Sequence, residues 1–215
     1  MTHRVTVVDY GVGNLYSVQR AVEVCGCGDV LISGEPRDIA NAESLILPGV
    51  GAFADGMRGL RERGLVEPII AYAKSGRPLL GICLGMQMLA TQSEEFGNHA
   101  GLDLIPGRVV AIPRRARDGS PLKVPFIGWT PLTVADTPGT EDSVLASYVP
   151  DASVYLVHSF HVQPTDSAHR LAAYSFGGHE VTAAIRRGNI TGFQFHPEKS
   201  GSTGLDIMRK FVAQT

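Results

Sequence analysis

"PLLGICLGMQ", residues 78–87, carries an apolar run straight into a Gly-Ile-Cys-Leu-Gly turn. A short apolar run bounded by glycines reads as a buried strand, and strands buried on both faces belong to parallel sheets. Cys83 sits where that strand gives way to a predicted helix. Two readings fit it. It is a nucleophile displayed on a sharp turn, or a small apolar residue filling a core, since cysteine is among the most buried residue types.

Outward from this stretch, the first half of the chain repeats the same alternation. "RVTVVDY" (4–10), "DVLIS" (29–33) and "SLILPG" (44–49) read as further strands. An amphipathic segment from Asn14 to about Val24, and one or two helices over 52–75 broken near Gly64, separate them. Short strands divided by helices imply a parallel sheet covered on both faces. The second half changes character. "RVVAIP" (108–113), "LKVPFIGW" (122–129), "SVYLVHSFHV" (153–162), "RLAAYSF" (170–176), "HEVTAAIRRG" (179–188) and "ITGFQF" (190–195) are strand-like with short turns. "FGGH" (176–179) is a hairpin signal, and a closing helix is expected over Thr203 to Val212. The predicted fold class is α/β, a doubly wound, mostly parallel sheet flanked by helices, with antiparallel strands in the second half. No linker or repeat divides the chain, so residues 1–215 are expected to form a single domain.

Composition narrows the function classes. A chain of 215 residues, 44% hydrophobic and 19% charged, has ample material for a core. Its net charge of −2 argues against nucleic acid as main partner. The local cluster Arg114-Arg115-Ala116-Arg117 reads as a solvated loop. No stretch is apolar enough to cross a membrane, and the strand-like run begins too early for a signal peptide. Three cysteines make no disulfide framework, so a reducing cytoplasm is the expected location. Cys25 and Cys27 lack a second pair of ligands at metal-site spacing, and no metal or other cofactor is expected.

Three places look built for chemistry. Gly81, Cys83 and Gly85 form a G-x-C-x-G pattern, spaced like the serine elbow of α/β-hydrolases, at the carboxyl end of a strand where such sheets bind ligands. The helix N-terminus beside the thiol favours its anionic form. In "FQFHPEKS" (193–200), Pro197 biases His196 toward an extended conformation, so His196 and Glu198 would point the same way. A carboxylate holding one imidazole nitrogen while the other faces a nucleophile is the arrangement of nucleophilic catalysis. In "LPGVGAF" (47–53), glycines let backbone N–H groups approach a substrate closely.

Together "PGVGAF", "GICLGMQ" and "HPEKS" resemble the class I (triad) glutamine amidotransferases. "DYGVGNLYSV", "VPFIGW" and "YLVHSF" narrow the resemblance to the glutaminase subunits of imidazole glycerol phosphate synthase, over nearly the whole chain. The resemblance implies that Cys83 attacks the side-chain amide carbon of glutamine, with His196 as general base and Glu198 orienting it. It implies an oxyanion held by backbone N–H groups at Leu84 and in Gly49-Val50-Gly51. Gln87 and the Ser159-Phe160 backbone are expected to hold the amino-acid end of the substrate. The implied partner is a (β/α)8-barrel cyclase that receives ammonia. Asn14, Trp129, Tyr155 and Lys199 are expected to face it, although Trp129 also fits as core filling.

Other signals are weaker. Gly11 and Gly13 begin a dinucleotide fingerprint that fails at Tyr16. His158 and His161 at spacing three on one strand would face opposite sides, which leaves no metal pair. The chain departs from the family's P-H-x-G-W-N pattern at Phe126 and Thr130. Both lie near the expected partner surface, which keeps open a lineage-specific interface or a paralogue feeding a different synthase; a silent interaction subunit is a separate alternative, against which the intact Cys83, His196 and Glu198 speak.

Overall fold

A computed structural model describes residues 4–135, 141–146, 148 and 150–214. The first half follows the predicted alternation: β1 (Arg4–Val8), α1 (Leu15–Val24), β2 (Asp29–Ser33), α2 (Pro36–Ala40), β3 (Ser44–Leu47), α3 (Phe53–Glu62), α4 (Val66–Lys74) and β4 (Leu79–Ile82). The helical stretch over 52–75 divides as expected, with Gly64 at positive φ between its two parts. A one-turn helix, α5 (Leu84–Met88), follows Cys83, and β5 (Ala90–Ser93), β6 (His99–Ala100) and β7 (Ile105–Ala111) come next.

The second half contains β8 (Phe126–Pro131), β9 (Thr133–Val134), β10 (Ser153–His158), β11 (Phe160–Pro164), β12 (Arg170–Phe176), β13 (His179–Arg187), β14 (Ile190–Phe193) and α6 (Gly201–Val212). The expected strand over 153–162 is two strands, broken at Ser159. β10 pairs with β8, whereas β11 pairs with β7 in another sheet.

Among the described residues the main sheet has eight strands in the order β2-β1-β3-β4-β14-β13-β12-β9. The steps from β2 through β14 are parallel and those beyond are antiparallel. The central strands β3, β4 and β14 are buried at every residue. Alternation then divides the core. Ile46, Leu80 and Ile82 join Val18, Val22, Ile207 and Phe211 in one apolar cluster, on the side of α1 and α6. Leu45, Leu47 and Leu79 join Phe53, Met57, Leu60, Ile69 and Tyr72, on the side of α3 and α4. This is the doubly wound arrangement expected, with the antiparallel extension at one edge.

The Arg114–Arg117 loop is solvated: Arg114, Arg115 and Arg117 are exposed, and the loop docks on the 177–178 turn through Arg117 N–H donating to the Gly177 carbonyl. Cys25, Cys27 and Cys83 form no disulfide, and no helix among the described residues is long and apolar enough to cross a membrane.

Candidate active site

The site forms where two neighbouring parallel strands end. β14 pairs β4 in a register that sets Phe193 opposite Ile82, so Cys83 and His196 leave the sheet at the same edge. Cys83 has φ 54° and ψ −109°, a conformation that L side chains rarely adopt. Close packing enforces it. A Cβ on Gly85 would lie 1.8 Å from the Leu47 carbonyl oxygen, and one on Gly81 would lie 2.8 Å from the Gly85 carbonyl oxygen. Cys83 N–H also donates to the Phe193 carbonyl at 2.7 Å. Strain of this kind persists only where the surroundings over-determine it. Cys83 is 8% exposed, buried yet open to the pocket it lines.

His196 and Glu198 meet, but not along a strand. β14 ends at Phe193, and Pro197–Lys199 form a 3₁₀ turn that carries Glu198 back to the ring. His196 itself is extended, at φ −99° and ψ 96°, as the following proline requires. Its Nδ1 lies 2.8 Å from Glu198 Oε1, and a carboxylate only accepts, so Nδ1 carries the proton. Nε2 is left for Cys83. Nε2 is buried and makes no formed hydrogen bond, although the sulfur acts on it electrostatically. Burial alone would lower the His196 pKa, but Cys83 and Glu198 together raise it to about 9. The imidazole is therefore a stronger base than usual.

The pocket beside these groups holds about 290 Å³, an amino-acid-sized space. It is lined by Val50, Gly51, Leu84, Gln87, Ser159 and Phe160 among the expected substrate-contacting residues. Gly49 is also near: a Cβ there would meet Leu84 Cβ at 3.0 Å and the Tyr10 hydroxyl oxygen at 2.3 Å.

Of the expected oxyanion donors, Leu84 N–H is engaged and Val50 N–H is turned away. Leu84 N–H donates to the Gly49 carbonyl at 3.2 Å. In a planar trans peptide the N–H opposes the C=O, so Val50 N–H points away from Leu84. The Phe160 carbonyl is likewise engaged, accepting from Gln87 Nε2 at 3.0 Å and from His158 Nδ1 at 2.8 Å.

Sequence reasoning missed Glu95 and Gln194, and weighed His158 only as a metal ligand. Glu95 lines the pocket from the loop after β5, and its Oε2 accepts from Phe53 N–H at 2.6 Å. Its only signal was a carboxylate in a short loop, which is common. Gln194 was passed over because alternation treated it as a spacer between two phenylalanines.

The expected interface residues lie on elements packed against one another. Trp129 is 55% exposed, which excludes core filling, and its ring sits 5.8 Å from that of Tyr155. Tyr155 in turn lies 6.4 Å from the His196 ring. Asn14 is exposed and caps α1, accepting from Ser17 N–H, and exposed Lys199 follows Glu198 in a turn packed on α1 and β10.

Phe126 and Thr130 lie on the same strand as Trp129. Alternation along β8 turns Ile127 and Trp129 outward and Phe126 and Thr130 the other way. Phe126 packs on Tyr174 at 4.9 Å and Phe176 at 5.2 Å, turned from the face that exposes Trp129, while Thr130 is half-buried. His158 and His161 fall on separate strands and are both buried. His161 Nδ1 accepts from Thr182 N–H, and burial pushes each ring down to about 4.

Residues 6–215 match the family described as glutamine amidotransferase class-I. The chain is 48% identical over 210 residues to imidazole glycerol phosphate synthase subunit HisH 1 of Legionella pneumophila strain Paris, covering 97% of this chain and 98% of that one. It is 44% identical to subunit HisH of Geobacter metallireducens, covering 97% of each. Among solved structures, PurLQS from Thermotoga maritima superposes with a TM-score of 0.73 at 21% identity, covering 98% of both chains. A glutamine amidotransferase from the same organism superposes at 0.60 and 17% identity, covering 92% of this chain and 77% of that one. These structural likenesses speak for the fold, and the sequence relatives for the branch within it. The chain belongs to the class I glutamine amidotransferases, among the HisH subunits of imidazole glycerol phosphate synthase.

Proposed function

We propose that this chain hydrolyses glutamine to glutamate and ammonia and delivers the ammonia to a (β/α)8-barrel cyclase, as the glutaminase subunit of imidazole glycerol phosphate synthase in histidine biosynthesis. It does so as one domain, and its three cysteines, none in a disulfide, suit a reducing cytoplasm. The observation that carries the reading is the convergence of Cys83, on a strained turn, with a His196 already oriented by Glu198.

His196, raised to about 9, holds the proton given up by Cys83 while the thiolate attacks the amide carbon, then gives it to the leaving ammonia. Water, deprotonated by the same imidazole, hydrolyses the thioester. Glu198 keeps Nδ1 protonated so that Nε2 does the work. Gln87 and Glu95 line the pocket where the amino-acid end of glutamine would lie, and Glu95 supplies a negative charge for its ammonium group.

The oxyanion needs donors that this arrangement withholds. Turning the Gly49–Val50 peptide would free Leu84 N–H and bring Val50 N–H into the site in one movement. Gly51, at φ 98° with nothing within 4 Å of its Cβ position, gives that turn room. On this reading the isolated chain is a weak glutaminase. The exposed Trp129, beside Tyr155 and so near His196, suits a cyclase whose docking is felt at the site. The test is to mix the protein with the histidine cyclase, its ribonucleotide substrate and glutamine. Glutamine-dependent formation of imidazole glycerol phosphate is expected, and its absence overturns the assignment.

A further inference from the structure

Gln194 is fully buried and has no part in the chemistry above. Phe193 and Phe195 stack at 4.6 Å, and the amide between them turns toward α5. There it touches two groups that do take part. Its Oε1 accepts from Gln87 Nε2 at 3.0 Å, and its Nε2 donates to Cys83 Sγ at 3.7 Å.

An amide can present either end to sulfur, and only the N–H end favours a negative charge there. The Phe160 carbonyl decides which. It has no proton, so the Gln87 atom 3.0 Å away must be Nε2. That nitrogen also faces Gln194, which must therefore answer with Oε1, leaving its Nε2 at the sulfur. On the other side, His158 Nδ1 donates to the same carbonyl at 2.8 Å while Nε2 accepts from the Tyr174 hydroxyl at 2.9 Å. Burial keeps the His158 ring neutral down to about pH 4, so this end of the row does not switch in the working range. Reversing either amide would set like atoms against each other inside a buried network, where an unmade hydrogen bond is costly.

We infer that Gln194 is a positioning residue, which ties the substrate-holding Gln87 to Cys83 and presents a fixed N–H to the sulfur. This rests on the reading of Cys83 as nucleophile. The N–H stabilises the thiolate that attacks, and the tie makes the orientation of Gln87 part of the nucleophile's own environment. The other titratable groups that act on or lie around the sulfur are His196, Tyr10, Glu95 and His158.

The experiment follows the rate of Cys83 alkylation by iodoacetamide against pH, read on the Cys83 peptide so that Cys25 and Cys27 do not contribute. In the native chain Cys83 is expected to react faster than both. If it does not, the nucleophile reading itself fails. Gln194→Met keeps the volume and removes the donor, and its midpoint is expected to rise by about one pH unit. Gln87→Met does not touch sulfur, but it frees Gln194 to reverse, so its midpoint is expected to rise by a smaller amount. A folded Gln194→Met with a reactive Cys83 and an unmoved midpoint overturns the proposal while leaving the nucleophile intact. Should Gln194→Met fail to fold, an unmoved midpoint in Gln87→Met overturns it instead.

Discussion

Two turns sit side by side at the active edge of the sheet, after β3 and after β4, and they are built in opposite ways. The turn after β4 is locked. Gly81 and Gly85 leave no space for a Cβ, and Cys83 is held at φ 54° between them. The turn after β3 is open on its outer side: Val50 is 39% exposed and Gly51 meets nothing within 4 Å. One hydrogen bond, Leu84 N–H to the Gly49 carbonyl, joins the movable peptide to the fixed turn. Such a bond contributes about 1 kcal/mol, small enough for a partner or substrate to overturn. On the proposed function, the Cys83 thiol is therefore kept in place by sterics, while the N–H groups meant for the oxyanion are kept out of place by a weak bond.

The largest effects test the locked side. Cys83→Ala and His196→Ala are each expected to lower glutaminase turnover about a thousandfold or more, since nucleophile and base act as a unit. Glu198→Ala removes an orienting group and is expected to cost less than His196→Ala. Steady-state assays of the assembled enzyme check this, and equal or reversed losses count against the roles. Gly85→Ala comes next. With a Cβ 1.8 Å from the Leu47 carbonyl, it is expected to lose about 3 kcal/mol or more of stability by thermal or denaturant unfolding.

Gly51→Ala should cost about 1 kcal/mol, from its positive φ alone, while changing the basal activity of the free chain several-fold. A stability loss equal to that of Gly85→Ala would break the comparison between the turns.

The smallest effect is the pH profile of stability. His158 and His161 fall from 6.5 to about 4 on folding, chiefly through burial. Their contribution is complete above pH 6.5 and is lost as pH falls toward 4. For His196 burial acts downward but is outweighed by Cys83 and Glu198, so its pKa rises to about 9. Its contribution is complete below pH 6.5 and is lost as pH rises through about 9. The melting temperature should therefore peak near pH 6.5. Cys83→Ala, which removes one of the groups that raise His196, should flatten the alkaline limb alone.

Much of this was legible beforehand because it depends on local pattern. "DVLIS" and "RLAAYSF" became strands with the predicted bounds, and the helix break near Gly64 fell where the glycine allows it. The failures share one cause. "SVYLVHSFHV" reads as one strand because periodicity does not register that two halves pair in different sheets. Gln194 and Glu95 carry no local mark, since each gains its meaning from a partner far along the chain. Which side of β8 Phe126 takes was likewise fixed only by pairing with β10.

What the sequence determined by itself was the fold class and which groups the proposed chemistry draws on. Strand and helix periods follow from covalent geometry, and a thiol, an imidazole and a carboxylate can be recognised wherever they stand. What only the tertiary structure decided was the state of the site. Whether Leu84 N–H is free, which end of Gln194 meets the sulfur, and how basic His196 becomes depend on burial and on hydrogen-bond partners that only folding brings together.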